Sequence, residues 1–267
     1  PIVHHPAYSA KLPANHRFPM DKFRAVADLI ITEGLLDDGA FLRPRPAPFA
    51  WIALAHDPAY VDQVFNGKVP DKVAREIGFP MREDIALRAR CATGGTVLTG
   101  YLALEHGIAC NTAGGSHHAR RLRGAGFCVF NDVAVAIRVL QADGAIQKAL
   151  VIDLDVHQGD GTADIFQRDP DVFTFSMHSQ KNYPVRKVPS HLDVGLADAT
   201  GDEGYMKALE DVLPSLLARD RWDIVIYNAG VDPYEHDRLG RLNLSRQGLE
   251  RRDRYVMETV RQAGLPL

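Results

Sequence analysis

The chain has 267 residues, 46% of them apolar, which is enough to fill one large core, and no repeat or low-complexity stretch divides it. A formal net charge of −3 with scattered Lys and Arg excludes a basic nucleic-acid footprint, and no apolar run reaches the roughly 18 residues of a membrane span. Three cysteines, Cys91, Cys110 and Cys128, give neither a disulfide framework nor CxxC metal spacing, so a reducing, cytoplasmic setting is expected.

In chain order, three- and four-residue apolar spacing predicts a helix over 22–35, followed by a β-branched or apolar run at 51–55 that reads as a strand. A long helix over 84–105, a strand over 107–112 and a helix over 131–142 come next. Strands are expected at 148–155 and 172–177, apolar on both faces as buried parallel strands are. The polar segment 178–201, with two prolines, reads as a long surface loop. A helix over 204–218, a strand over 223–228 and a helix over 245–263, N-capped by Ser245, complete the pattern. Such alternation gives an α/β fold: a single-domain, open, mostly parallel sheet with helices on both faces.

Ionisable residues gather at the predicted strand ends, where open α/β sheets put their ligands. His117 and His118 follow a glycine pair in Gly114-Gly115-Ser116-His117-His118. The segment Asp153-Leu154-Asp155-Val156-His157 spaces three ionisable groups by two, so a strand continuing through His157 would lean all three to one face. Asp155 and His157 can then share one ion, with Asp232 reaching it from the loop after another strand. Two carboxylates and an imidazole suit Zn²⁺ or Fe²⁺, with a position left for water and a substrate carbonyl. Asp153 and Asp160 remain as carboxylates that could orient catalytic imidazoles.

Each group also has a plainer reading. Asp153, Asp155, Asp160 and Asp232 lie near Gly or Pro, where turns and helix caps favour aspartate. His178, His191 and His236 are read as surface or supporting residues, and His4, His5, His16, His56 and His106 receive no role. Gly94-Gly95, inside a helical pattern, reads as close helix packing, and Cys128 as an inert buried thiol.

Four motifs in order decide against the plain readings: Gly114-Gly115-Ser116-His117-His118-Ala119, Gly126-Phe127-Cys128, the run from Asp153 to Gly161, and Asn228-Ala229-Gly230-Val231-Asp232-Pro233. The chain resembles metal-dependent histone deacetylases of the arginase/deacetylase superfamily, most of all the class IV enzymes and their bacterial relatives. The resemblance implies an amidohydrolase that removes an acyl group from acyl-lysine or a related acylated amine. Asp155, His157 and Asp232 would be the metal ligands, His118 the general base and later acid, and His117 its electrostatic partner. Asp153 and Asp160 would pair with the two histidines. Gly126, Phe127 and Tyr183 would line the substrate channel, and Arg17 would lie below the pocket. A structural K⁺ would sit at the backbone around Asp153, Asp155, His157 and Ser176. An arginase-like pair of metals is disfavoured because Gly159 stands where that chemistry needs a second acid.

The family carries a Gly-Gly-Tyr segment after its last helix, whose phenol polarises the substrate carbonyl. The sequence ends at Leu267 without it, so truncation before the last strand or strands is expected. Loss of one such donor costs on the order of a hundred- to a thousandfold in turnover. That departure keeps a different class open, an impaired protein that binds or scaffolds acyl-lysine, beside an acetylpolyamine-type small-molecule deacetylase.

Overall fold

The computed structural model describes residues 1–37 and 39–267, which cluster into two units, Pro1–Ala145 and Ile146–Leu267. In the first unit, β1 (Ile2–Val3) pairs in parallel with β2 (Cys110–Asn111), so the expected strand over 107–112 shrinks to two residues. Helix α1 (Lys22–Thr32) ends before residue 35 because Gly34 turns left-handed at φ 66°. The run at 51–55 is not a strand. It is α2 (Phe49–Ile52), opened by Pro48, whose carbonyl accepts the Trp51 and Ile52 N–H groups. A short apolar run does not by itself distinguish the two states.

Two further helices of the first unit escaped the periodicity. α3 (Pro58–Phe65) starts on an Asp57-Pro58 cap in which the Asp57 carboxylate accepts from Ala59 and Tyr60, and α4 (Asp71–Ile77) ends at left-handed Gly78. The long α5 (Glu83–His106) packs on α6 (Asp132–Ala142), which Asn131 caps by accepting from the Ala134 N–H. Gly94 and Gly95 do permit close approach, of an irregular segment at Gly94 and of the short 3-10 turn Pro6–Tyr8 at Gly95. A Cβ on Gly94 would lie 2.0 Å from the Arg45 carbonyl, and one on Gly95 would lie 2.1 Å from the Tyr8 hydroxyl.

His56, unassigned in the sequence, is a buried pin between segments. Its Nδ1 donates to the Arg120 carbonyl at 3.0 Å, and its Nε2 accepts from the Asn131 N–H at 2.8 Å, an arrangement that needs the neutral ring. Burial lowers its pKa to about 4, against the opposing pull of the Arg120 carbonyl.

The second unit carries the predicted parallel sheet, in the order β5-β4-β3-β6. β3 (Ala149–Asp153) is buried along its whole length between β4 (Val172–Ser179) and β6 (Ile224–Asn228). β5 (Leu192–Leu196) corrects the expectation of a loop across 178–201. Only Leu192, Val194 and Leu196 face a side worth burying, too short an alternation to announce a strand, yet Met177 pairs with Val194 in the ladder. α7 (Asp160–Phe166) was also unforeseen. α8 (Asp202–Leu217) and α9 (Arg246–Gln262) lie within two residues of their predicted bounds at both ends.

The core of this unit gathers Leu150, Ile152, Phe175 and Met177 from the sheet with Leu209 and Leu213 from α8 and Val256 and Val260 from α9. Each such side chain contributes roughly 1.5–3 kcal/mol by leaving water. Ser245 is the N-cap of α9 as expected: its Oγ accepts from the Gly248 N–H at 3.0 Å and donates to the Asp202 carboxylate at 2.6 Å. Among the described residues no helix is long and apolar enough to cross a membrane.

Candidate metal centre and histidine pair

The adjacent strands β4, β3 and β6 align Ser176, Asp153 and Asn228 in register, the last two as the final residues of their strands. Strand β3 stops there, so the argument that alternation carries Asp155 and His157 onto one face does not hold. A bend does that work instead. The Asp153 carboxylate accepts the Asp155 N–H at 3.2 Å and the Asn228 amide at 2.9 Å, while Asp155 accepts the His157 N–H at 2.8 Å. Asp232 enters from the loop after β6 and is fastened to the first loop by the Val156 N–H at 2.8 Å.

The result is one cluster. His157 Nδ1 lies 2.9 Å from Asp155 Oδ1 and 3.1 Å from Asp232 Oδ2, and the three donor atoms all fall within 4.8 Å of one another. A tetrahedral ion with bonds near 2.1 Å needs donors about 3.4 Å apart, so the set fits Zn²⁺ or a similar cation with little movement. The electrostatics agree. Burial disfavours the His157 cation, but the Asp155 and Asp232 carboxylates outweigh it and push the imidazole pKa up. Burial, and then the Asp155 charge, push Asp232 up against the pull of His157. Protons thus gather where a cation would neutralise the same carboxylates.

Close approach of the two loops depends on Gly230, where a Cβ would fall 2.6 Å from Asp155 Cα and 2.9 Å from its Oδ2. Tyr183, 42% exposed, stands edge-on to the His157 ring at 6.4 Å between centroids. Asp160 is buried as the first residue of α7, with Gly159 at its N-cap. His178 is buried as well, its Nδ1 3.0 Å from Ser176 Oγ, so it supports the strand end rather than facing solvent; burial lowers its pKa.

In the first unit, His117 and His118 are both buried, with ring centroids 4.1 Å apart. The turn before them is held by Asp132 at the start of α6, whose carboxylate accepts the Gly115 and Ser116 N–H groups at 3.2 and 2.7 Å and the Thr96 hydroxyl at 2.5 Å. Sequence reading missed Asp132; its signal was an acid beside a predicted helix start, which looks like any cap. Gly126 and Phe127 both have positive φ, 54° and 64°, which strains the Phe127 backbone, and its ring packs with His16, Phe18 and Phe79. A Cβ on Gly78 would meet that ring at 2.9 Å. Arg17 is exposed at a bend. A second arginine, Arg88, is buried in the same unit, donates to the Tyr8 carbonyl at 3.0 Å and lies against the Phe18 and Phe23 rings.

The profile of the histone deacetylase domain matches residues 16–267. The chain belongs to the histone deacetylase family. It is 47% identical, over its full length and 89% of the relative's, to an uncharacterized protein of Picosynechococcus sp.. Histone deacetylase 2 of Arabidopsis thaliana is 29% identical across 94% of this chain and 67% of that one. The acetoin utilization protein AcuC of Bacillus subtilis is 28% identical across 91% and 68%.

Among solved structures, a histone deacetylase homolog complexed with SAHA superposes with a TM-score of 0.82 at 26% identity, covering 97% of this chain and 75% of that one. A homolog from Aquifex aeolicus, at 24% identity and a TM-score of 0.83 over 97% and 75%, shares the fold. The parallel sheet with its helices is therefore the deacetylase fold, and the activity class is that of the deacetylase hydrolases.

Proposed function

We propose that the chain hydrolyses the amide of acyl-lysine, or of a related acylated small amine, at a single divalent cation held by Asp155, His157 and Asp232. The observation that carries this reading is the convergence of those three donors within 4.8 Å in a chain of the deacetylase family. A bound Zn²⁺ or Fe²⁺ supplies a Lewis acid for water and for the amide carbonyl. His118 takes the proton of the attacking water as its oxygen bonds to the acyl carbon. His118 then returns that proton to the nitrogen as the C–N bond breaks, releasing free amine and carboxylate. His117 remains the charged partner beside it. Asp153 and Asp160 would be the carboxylates that orient the two imidazoles.

Gly126, Phe127 and Tyr183 would receive the lysine stem, which suits aromatic walls, and Arg17 would serve the departing acid. Backbone around Asp153, Asp155, His157 and Ser176 would hold a structural K⁺. The 267 residues would act as one deacetylase domain, since the family match runs through residue 145 without a break. Three unbridged cysteines support a reducing, cytoplasmic setting.

Turnover of an acetyl-lysine peptide, measured beside elemental analysis of bound metal, tests the assignment. His118→Ala is expected to keep the metal and lose about 10²- to 10⁴-fold in kcat. Asp155→Ala is expected to lose the metal itself. Normal turnover in the His118 variant would overturn the role given to that residue, and full metal occupancy in the Asp155 variant would overturn the centre.

A further inference from the structure

Helix α9 presents Val256 and Val260 to the core, and one turn earlier on the same stripe stands Arg252, fully buried. A guanidinium at an apolar position is costly unless its donors are used. Nε donates to Asp253 Oδ1 at 2.8 Å, and the same oxygen accepts the Tyr227 hydroxyl at 2.5 Å, which anchors the head group to the end of β6. Nη1 turns the other way. It donates to the Leu154 carbonyl at 3.2 Å and to the Gly230 carbonyl at 2.7 Å. Leu154 immediately precedes Asp155, and Gly230 lies two residues before Asp232, so a single nitrogen ties together the two loops that carry the three donors.

We propose that Arg252 is a positioning residue for the metal centre, a clamp that sets the spacing between the 154–157 and 229–232 loops before any cation arrives. The proposal rests on the reading of Asp155, His157 and Asp232 as ligands. The two N–H bonds of Nη1 lie in the guanidinium plane at a fixed angle, and Nε anchors that plane to Asp253, so the separation of the two carbonyls is fixed along with it. A lysine ammonium has no such plane and rotates freely, and methionine has no donor. Without the clamp, the ordering of two loops must be met by the binding energy of the ion, and affinity falls.

Chelator-competition titration with Zn²⁺ and amide exchange of Val156, whose N–H crosses between the loops, read the clamp in two independent ways. Arg252→Met is expected to weaken Zn²⁺ binding by about 10- to 100-fold, the usual cost of losing a group that orients ligands, and to speed Val156 exchange while β3 and β4 stay protected. Arg252→Lys, which keeps a buried cation and guards against misfolding of the methionine variant, is expected to fall between wild type and Arg252→Met. Ser245→Ala, which loosens the start of the same helix by removing a hydroxyl that bonds only to Asp202 and Gly248, is expected to keep wild-type affinity. Wild-type affinity and exchange in a folded Arg252 variant would overturn the clamp, as would an equal loss in Ser245→Ala. Failure of the wild-type protein to bind Zn²⁺ or Fe²⁺ would instead overturn the proposed function, with Val156 exchange still deciding the clamp.

Discussion

A missing side chain does as much at this centre as the charged ones. Gly230 lets the second ligand loop pass within 2.6 Å, Cβ to Cα, of Asp155, a distance no real Cβ tolerates. Gly230→Ala must therefore push Asp155 aside. We expect about a tenfold or greater loss of metal affinity with secondary structure unchanged, checked by chelator competition and far-UV circular dichroism. The convergence of Asp155, His157 and Asp232 was legible in the sequence because their motifs place them at strand ends. Arg252, Arg88 and Asp132 were not. Arginine on a helix reads as solvated, and an aspartate at a helix start reads as a cap; only three-dimensional burial shows that each holds a particular carbonyl or turn.

Between residues and the whole chain, two pins join elements. Ser245 caps α9 and at the same time grips Asp202 at the start of α8, through its N–H at 2.8 Å and its hydroxyl at 2.6 Å. Ser245→Ala removes the cap and leaves the Asp202 carboxylate one donor short, so a loss of about 1–2 kcal/mol is expected in denaturant unfolding.

His56 joins the segment after the histidine pair to the start of α6, and it must stay neutral to do so. Its folded pKa, about 4, lies below the ordinary 6.5, so protons bind the unfolded chain preferentially between those values. The stability it contributes is complete above pH 6.5 and is lost as pH falls toward 4, a change of about 3 kcal/mol. His56→Gln should flatten that acid slope; an unchanged slope from pH 7 to pH 4.5 would show that His56 does not carry it. Long periodic helices and the buried strands β3, β4 and β6 were readable from pattern. α2, α3, α4, α7 and β5 were not, since each is under nine residues and is set by Pro, Gly or ladder partners rather than by a repeat of its own.

For the molecule as a whole, the parallel sheet and its family were visible from composition and motif order, and the sheet indeed delivers Asp153, Ser176 and Asn228 to one end. Cation binding to such a centre is linked to folding. Zn²⁺ at a hundred times its dissociation constant adds about 2.7 kcal/mol to the folded state, which should raise Tm by several degrees. A chelator should reverse the rise, and Asp232→Asn should blunt it, as followed by calorimetry.

Asp155, His157 and Asp232, the three proposed ligands, lie after residue 145, whereas the histidine couple lies before it. On the proposed reading, the ion's ligands and the histidine couple are written in separate stretches of the gene. Random lesions should sort accordingly, with loss of the ion mapping to the later stretch, and ion-replete but silent enzymes to the earlier one and to Asp153 and Asp160.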